Sequence, residues 1–270
     1  MNWWESVILG LVQGLTEFLP VSSSGRLVLG QHLLGLETAA GDVLFEVLVH
    51  FGTIMSVFWV YRERIQSLTI GFCRRAVRVS ELGQSYKTDE HFRMGVQILI
   101  TMIPTFTVYA IWGSEIEAAF GSPKLASGML LVTGVLLLLT RLRRAPSGQI
   151  TAPKSFLIGL AQSAAMIPGI SRSGATICTA LYQNVEPSKA ADFSFLMLLP
   201  VVIGATIFKI GEALGQAAVA DWGVLLLGTL VAFISGIAAI RLVLDVVRRG
   251  RLQYFAIYCF IAGGLGLILI

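Results

Sequence analysis

The sequence predicts an all-α polytopic membrane protein built as an inverted-topology repeat. Each half is a re-entrant helical hairpin followed by three transmembrane helices. Three observations carry this. Of 270 residues, 55% are hydrophobic and only 13% charged, against roughly 25% charged in soluble domains. The basic residues gather in three short segments separated by apolar runs. One polar motif, broken by proline and glycine, occurs twice at a fixed offset. With a mean hydropathy of +0.78, 20 Lys+Arg and 16 Asp+Glu are too few to cover a water-facing surface. That excludes an ordinary cytosolic enzyme, a disordered chain and a disulfide scaffold. Cys73, Cys178 and Cys259 form no CxxC pair and read as small packing residues. The segment MNWWESVILG lacks the basic flank of a cleaved signal peptide.

A spanning helix needs about 20 mainly apolar residues. In chain order the spans are expected at Leu44–Tyr61, Met94–Trp112, Leu125–Thr140, Ala190–Ile210, Val224–Leu242 and Leu252–Ile270. Regions 1–36 and 155–186 are apolar but interrupted by Pro, Gly and serine clusters. Segment 62–93 holds seven Lys or Arg, 141–154 holds four and 241–251 holds four. The loops between are acidic, with Glu37, Asp42, Glu115, Glu117, Glu212 and Asp221. The positive-inside rule places the basic loops in the cytoplasm, and all six spans then alternate. The net charge of +4 is therefore a topology signal that favours anionic lipid, and no nucleic-acid partner is expected. Residues 154 and 189 fall on one side, so 155–186 enters and returns, and 1–36 does the same from the opposite side. Such hairpins are tolerated where protein buries them or a wet cavity receives them.

The hairpins repeat each other. GLVQGLTEFLPVSSSG, residues 10–25, aligns with GLAQSAAMIPGISRSG, residues 159–174, at an offset of 149 residues. Gly10 meets Gly159, Gln13 meets Gln162, Ser22 meets Ser171, Ser24 meets Ser173 and Gly25 meets Gly174. Three spans follow each copy; three is odd, so the second copy is inverted. The chain is read as one integral-membrane domain, 1–270, with half-repeats of about 1–148 and 149–270. Paired broken segments of this kind point to a membrane binding site, with both tips near the bilayer midplane.

Serine ahead of an apolar run is a helix N-cap, and two helix N-termini aimed at one pocket favour an anion, phosphate above all. Arg172 lies in the second tip, where a buried charge is costly and points to function; its guanidinium grips phosphate through a planar fork. Gln13 and Glu17, four residues apart, share one helix face and suit a hard divalent cation assisted by phosphate and water. Glu17 is also a candidate general base, or a carboxylate paired with Arg26 or Arg172. Ser22, Ser23 and Ser24 supply hydroxyls, for capping, for binding phosphate (Ser22 and Ser24) or, beside a base, for attack (Ser23). Ser171, Ser173 and Thr176 are candidate hydrogen-bond donors to phosphate. His50 reads mainly as a packed histidine. The sequence carries no P-loop, dinucleotide motif, zinc spacing or GxSxG elbow.

QGLTEFLPVSSSG resembles the (E/Q)xxxE and serine motifs, and PGISRSGAT the PGxSRSxxT motif, of the undecaprenyl-diphosphate phosphatases, or bacitracin resistance proteins. FEVLVHFGTI and DFSFLMLLP extend the resemblance over the chain. The resemblance implies a metal-dependent hydrolase of the bacterial plasma membrane that removes the terminal phosphate of undecaprenyl diphosphate. This recycles the peptidoglycan lipid carrier and confers bacitracin resistance. It assigns Gln13 and Glu17 to Mg²⁺ or Ca²⁺ and to base chemistry, Ser23 to nucleophilic attack, and Arg172 to phosphate, with Ser171, Ser173 and Thr176 around it. The family usually has histidine where this chain has Arg26. Arginine stays protonated and cannot exchange a proton there, so Arg26 is expected either to clamp phosphate beside Arg172 or to pair with Glu17. The expected partners are the polyprenyl diphosphate and membrane lipids, with a second copy, as a homodimer, a further candidate. The pocket is expected to open to the outer face. The rival reading is a transporter or flippase of the lipid phosphate using the same pocket, since inverted repeats with broken helices also mark transporters. A homologue that binds without hydrolysing is a weaker third reading.

Overall fold

The computed structural model describes residues 1–25, 28–29, 43–76, 82–143, 147–216 and 221–270, with the side chains of 43 and 205–216 outside the description. The described residues are almost entirely helical. In chain order the helices are α1 (Trp3–Phe18), α2 (Val43–Ala76), α3 (Leu82–Thr88), α4 (Glu90–Ala119), α5 (Pro123–Leu139) with a 3₁₀ turn at Thr140–Leu142, α6 (Ala152–Ala164), α7 (Arg172–Tyr182), α8 (Pro187–Gln216), α9 (Trp222–Arg248) and α10 (Gln253–Leu269). Among the described residues, five segments are long and apolar enough to cross a membrane: Leu44–Ala76, Glu90–Ala119, Pro123–Leu142, Pro187–Gly204 and Trp222–Arg248. Gln253–Leu269 is apolar and shorter.

Helices α2 and α4 run well past the expected ends of their spans, and each breaks where the apolar run stops. Tyr61 (φ −107°, ψ 17°) interrupts α2 and Trp112 (φ −121°, ψ 21°) interrupts α4. Beyond Tyr61 the helix carries Arg62, Glu63 and Arg64, a segment suited to water and headgroups.

The described helices of the two hairpins are too short to cross. At 1.5 Å per residue, the 16 residues of α1 reach about 24 Å, the 13 of α6 about 20 Å and the 11 of α7 about 17 Å, against a hydrocarbon core of about 30 Å. The segment bearing α6 and α7 leaves where it entered: Gly148 N–H donates to Asn184 O at 2.8 Å and Glu186 N–H to Gly148 O at 3.0 Å, in a parallel bridge between Gly148 and Val185.

Close contacts fix the sense of each helix. Along α1 and α9, Ser6 Oγ donates to Val224 O at 2.6 Å, Gly10 faces Gly228, and Gly14 faces Ser235 and Gly236; the two run parallel. Along α2, Gly52 meets Thr229 and Ser56 meets Gly236, so α2 is parallel to α9 and hence to α1. The end of α1 and the start of α2 therefore lie at opposite ends of the bundle. Likewise α6 is parallel to α4: Gln97 donates to Ile150 O at 2.9 Å, and Gln162 donates to Thr105 Oγ1 at 3.0 Å. Gly134 meets Phe260 and Gly263 meets Leu131, so α5 and α10 are antiparallel. Tyr61, at the far end of the apolar run in α2, bonds Asp192 near the start of α8 at 2.9 Å, so α2 and α8 are antiparallel too.

Small residues let α1 settle on α9. A Cβ on Gly10 would come within 3.1 Å of Gly228 Cα, a contact that backbone cannot relieve. The core lies between α2, α7, α8 and α9, with Phe18, Val57, Ile177, Leu181, Phe193 and Ile240 fully buried. Phe195 stands edge-on to Phe18 at 5.7 Å, tying α8 to the end of α1. Cys178 and Cys259 are buried, as packing residues, whereas Cys73 is exposed, and no disulfide joins the three.

Candidate active site

The two hairpin tips meet. In the first, Leu19–Val21 turn the chain out of α1, and Ser22 takes φ +58°. Its Oγ accepts from Gly25 N–H at 3.1 Å, capping the helical residues Ser23–Gly25. In the second, Gly169 takes φ +97°, and a Cβ there would lie 2.7 Å from Met129 Cβ of α5. Only glycine combines that torsion with that approach. Ser171 caps α7, its Oγ accepting from Gly174 N–H at 3.2 Å. Thr133 of α5 straps this tip: its hydroxyl donates to Gly169 O at 2.9 Å and accepts from Ser171 N–H at 3.0 Å. Ser173 Oγ donates across to Leu19 O at 3.3 Å, and Gly25 lies against Gly169.

At the junction, Arg172 donates through Nη2 to Glu17 Oε1 in an ion pair. Gln13 Nε2 donates to Glu17 Oε2 at 3.1 Å, as the four-residue spacing predicts. His50 Nε2 stands 4.0 Å from the same oxygen, and its Nδ1 lies 2.8 Å from Glu46 O. The Glu17 side chain is 5% exposed and that of Arg172 24%, so the guanidinium keeps a face toward the space in front of it. That space is a cavity of about 270 Å³ whose polar wall includes Glu17, Ser22, Ser23, Ser24, Ser171 and Arg172. Thr16 and His50 complete the polar side; Met166, Ile170, Val201 and Val202 form an apolar side. Ligand pockets run about 300–1,000 Å³; this one, just under that range, has room for a small charged group and not for a long apolar chain.

Three expected residues sit differently. Thr176 is buried, donating to Arg172 O at 2.8 Å and bonded to Ser194 of α8, and is not among the pocket-lining residues. Ser173 is spent on Leu19, and Gln13 touches Glu17 without lining the cavity. Arg26 lies outside the described residues. Sequence reasoning undervalued His50, whose only signal was an ionisable side chain inside an apolar span. It also missed Thr133, which carries no motif.

The donor set fits a divalent cation in one way. No group of three or more His, Cys, Asp and Glu able to hold a metal occurs among the described residues, so these residues offer no closed protein cage. Mg²⁺ is commonly held by one or two carboxylates together with substrate phosphate and water. Glu17, with the Gln13 amide turned to present its oxygen, matches that use.

The 149-residue offset also sets Glu17 against Met166 and Ser23 against Arg172. Glutamate and serine thus come from one copy and the guanidinium from the other.

The family described as bacitracin resistance protein BacA matches residues 6–265. A protein of Salinibacter ruber named undecaprenyl-diphosphatase is 55% identical over 270 residues, covering all of both chains. One of that name from Desulfatibacillum aliphaticivorans is 40% identical over 275 residues, covering 99% of each. Another from Bacteroides fragilis is 38% identical over 268 residues, covering 97% of this chain and 96% of the relative. With the match running almost end to end and both signature motifs meeting at one pocket, the chain belongs to the bacitracin resistance protein BacA family.

Proposed function

We propose that this chain hydrolyses undecaprenyl diphosphate to undecaprenyl phosphate and inorganic phosphate, recycling the lipid carrier of cell-wall synthesis and conferring bacitracin resistance. The observation that carries the reading is the meeting of Glu17, Ser23 and Arg172, drawn from two hairpins, around one headgroup-sized cavity. The terminal phosphate takes the open face of Arg172, whose fork bonds two oxygens. Ser22, Ser24 and Ser171 hold the tips in shape. The Ser23 hydroxyl, or a water in its place, attacks the terminal phosphorus while Glu17 receives its proton. The bond from phosphorus to the bridging oxygen breaks, and undecaprenyl phosphate leaves with the electron pair. Attack by water gives inorganic phosphate directly; attack by Ser23 leaves a phosphoserine, whose phosphorus–Oγ bond breaks in a second step as water adds to phosphorus, inorganic phosphate departs and the proton on Glu17 returns to the Ser23 oxygen. Arg172 and the N-terminus of α7 offset the charge that develops, the effect that dominates phosphoryl transfer. A Mg²⁺ or Ca²⁺ ion on Glu17 and Gln13 would neutralise phosphate charge further. A transporter needs the clamp but not a base beside a serine, and the relatives' names are those of hydrolases.

Several observations support an inverted repeat in a bacterial plasma membrane with the pocket facing outward. Arg75 pairs with Asp89, just ahead of α4, and Gly71 lies against His91, so α4 is antiparallel to α2; in corresponding positions of the two halves, α1 then runs opposite to α6, α2 to α8, α4 to α9 and α5 to α10. The basic segments share one end of the bundle, which the positive-inside rule makes cytoplasmic. The functional test is phosphate release from undecaprenyl diphosphate by the purified chain, with added Mg²⁺ or Ca²⁺ and with chelator. Release that needs metal is expected; no release under any metal would remove the enzyme reading.

A further inference from the structure

One guanidinium nitrogen outside the pocket is buried without an acceptor, on a side chain that is otherwise partly exposed. Arg143 follows the 3₁₀ turn after α5. Its Nη1 is sealed from solvent and has no hydrogen-bond partner, and no carboxylate of the described residues pairs with it. Burial pulls its pKa below the ordinary arginine value, opposed only by the Cys178 thiol. A buried donor left unmet costs about 1–3 kcal/mol, more when charged, and native proteins leave few of them.

A second orphan lies at the same end. The register of α10 on α5, set by Gly134 against Phe260 and Gly263 against Leu131, carries Gln253 to the level of Arg141. Gln253 Oε1 is also buried and unpartnered. Turning that amide presents its NH₂ instead, a second donor at this end of the seam. Gly250, at φ +66°, closes the α9–α10 turn beside the guanidinium; a Cβ there would stand 3.4 Å from Arg143 Nη2.

The surroundings favour a negative ligand with an apolar body. Arg141, Arg248, Arg249 and Arg251 share this end; Asp245 answers only Arg249, at 2.8 Å. Leu142 and Tyr254, 80% and 60% exposed, flank the site from the two helices and present apolar surface to lipid. Tyrosine and arginine at such a level are the usual furniture of a membrane interface.

We propose that this end of the α5–α10 seam is a binding site for the phosphodiester of an anionic phospholipid, held by Arg143 and Gln253, with the acyl chains lying along the Leu142 and Tyr254 side. The site is separate from the catalytic pocket and does not depend on the proposed hydrolysis.

The test uses the purified full chain in zwitterionic detergent, titrated with phosphatidylglycerol, phosphatidylcholine or inorganic phosphate, with binding read by native mass spectrometry. Phosphatidylglycerol should bind about tenfold more tightly than phosphatidylcholine, whose choline ammonium offsets the phosphodiester charge that the guanidinium reads, a difference about the size of one charge-assisted contact. Arg143→Gln should abolish that preference, and Arg143→Lys, which keeps the charge without the fork, should restore only part of it. Arg141→Gln, on an exposed neighbour, should change it less than about twofold, as a screened surface charge does. An unchanged thermal midpoint in phosphatidylcholine shows that each variant is folded; if Arg143→Gln does not fold, the Arg143→Lys and Arg141→Gln comparison decides. Equal losses in the Arg141 and Arg143 variants would mean diffuse charge and overturn the site. So would a preference that survives Arg143→Gln, which would leave a buried water on Nη1. Arg143-dependent binding of inorganic phosphate without lipid preference would overturn the phospholipid assignment.

Discussion

The ion pair between the hairpins makes an unequal prediction about its two ends. Arg172→Gln leaves the Glu17 carboxylate, 5% exposed, with only the Gln13 amide and His50 beside it. Breaking a buried pair by removing one partner costs about 3–5 kcal/mol, and this variant should fall in that range. Glu17→Gln leaves a guanidinium that is 24% exposed and already faces the cavity, where water reaches it. Its cost should be nearer the about 1–3 kcal/mol of an unmet polar group. Removing both charges should be cheaper than the two losses together, with a coupling of about 0.5–3 kcal/mol. The assay is reversible unfolding in mixed micelles for the four proteins, with phosphate release measured on each. Release should fall by about 10²–10³ when the guanidinium goes, and the double variant should regain stability without regaining turnover. Losses that add within about 0.5 kcal/mol, or a greater loss for Glu17→Gln, would refute the reasoning.

Ser23→Ala should abolish phosphate release with the unfolding midpoint unchanged. Ser22→Ala, which deletes the cap on Gly25 N–H, should cost about 0.5–2 kcal/mol and keep part of the turnover; the opposite result would move the nucleophile by one position. Gly10→Ala should destabilise by about 1–3 kcal/mol through overpacking against Gly228, whereas Gly128→Ala, with nothing within 4 Å of its Cβ, should raise the thermal midpoint. Asp89 caps α4 by accepting from Phe92 N–H at 3.0 Å and pairs with Arg75 at 2.6 Å; first that backbone bond, then Arg75, hold its pKa below 3.8 against burial. Its stabilisation is complete above the unfolded pKa of about 3.9 and fades as pH falls through the lower folded value. Asp89→Ala should therefore cost about 0.5–2 kcal/mol at a constant level above about pH 5, a gap that closes in acid denaturation curves below about pH 4. In a background lacking Cys73, cysteines at Glu115 and Asp221 should react with an impermeant reagent from outside, and those at Arg75 and Arg249 only from inside.

Much of this was legible because the governing patterns are local. The apolar runs end at Tyr61 and Trp112, where α2 and α4 break. Ser22 and Ser171 cap as serine before a helix should, and four-residue spacing put Gln13 on Glu17. What stayed hidden depends on which helix lies opposite. Nothing around His50 reveals that α2 carries it to Glu17, since parallel packing of α1 and α2 on α9 decides that. Thr133 became a strap because α5 passes the second tip. Thr176 looked like a phosphate donor by its nearness to Arg172, but one turn along α7 it faces Ser194 of α8. Helices α2 and α4 overran their apolar stretches because polar residues outside the hydrocarbon can continue a helix as readily as end it.

Ser23 and Arg172 fall at one repeat position, which bears on whether either half could serve alone. Two copies of the first half would bring two serines to that spot and no Arg172; two copies of the second would bring two arginines and no Ser23. Glu17 against Met166 divides in the same way. Neither half paired with itself can assemble the side chains that line this cavity; the set exists only where one chain carries both.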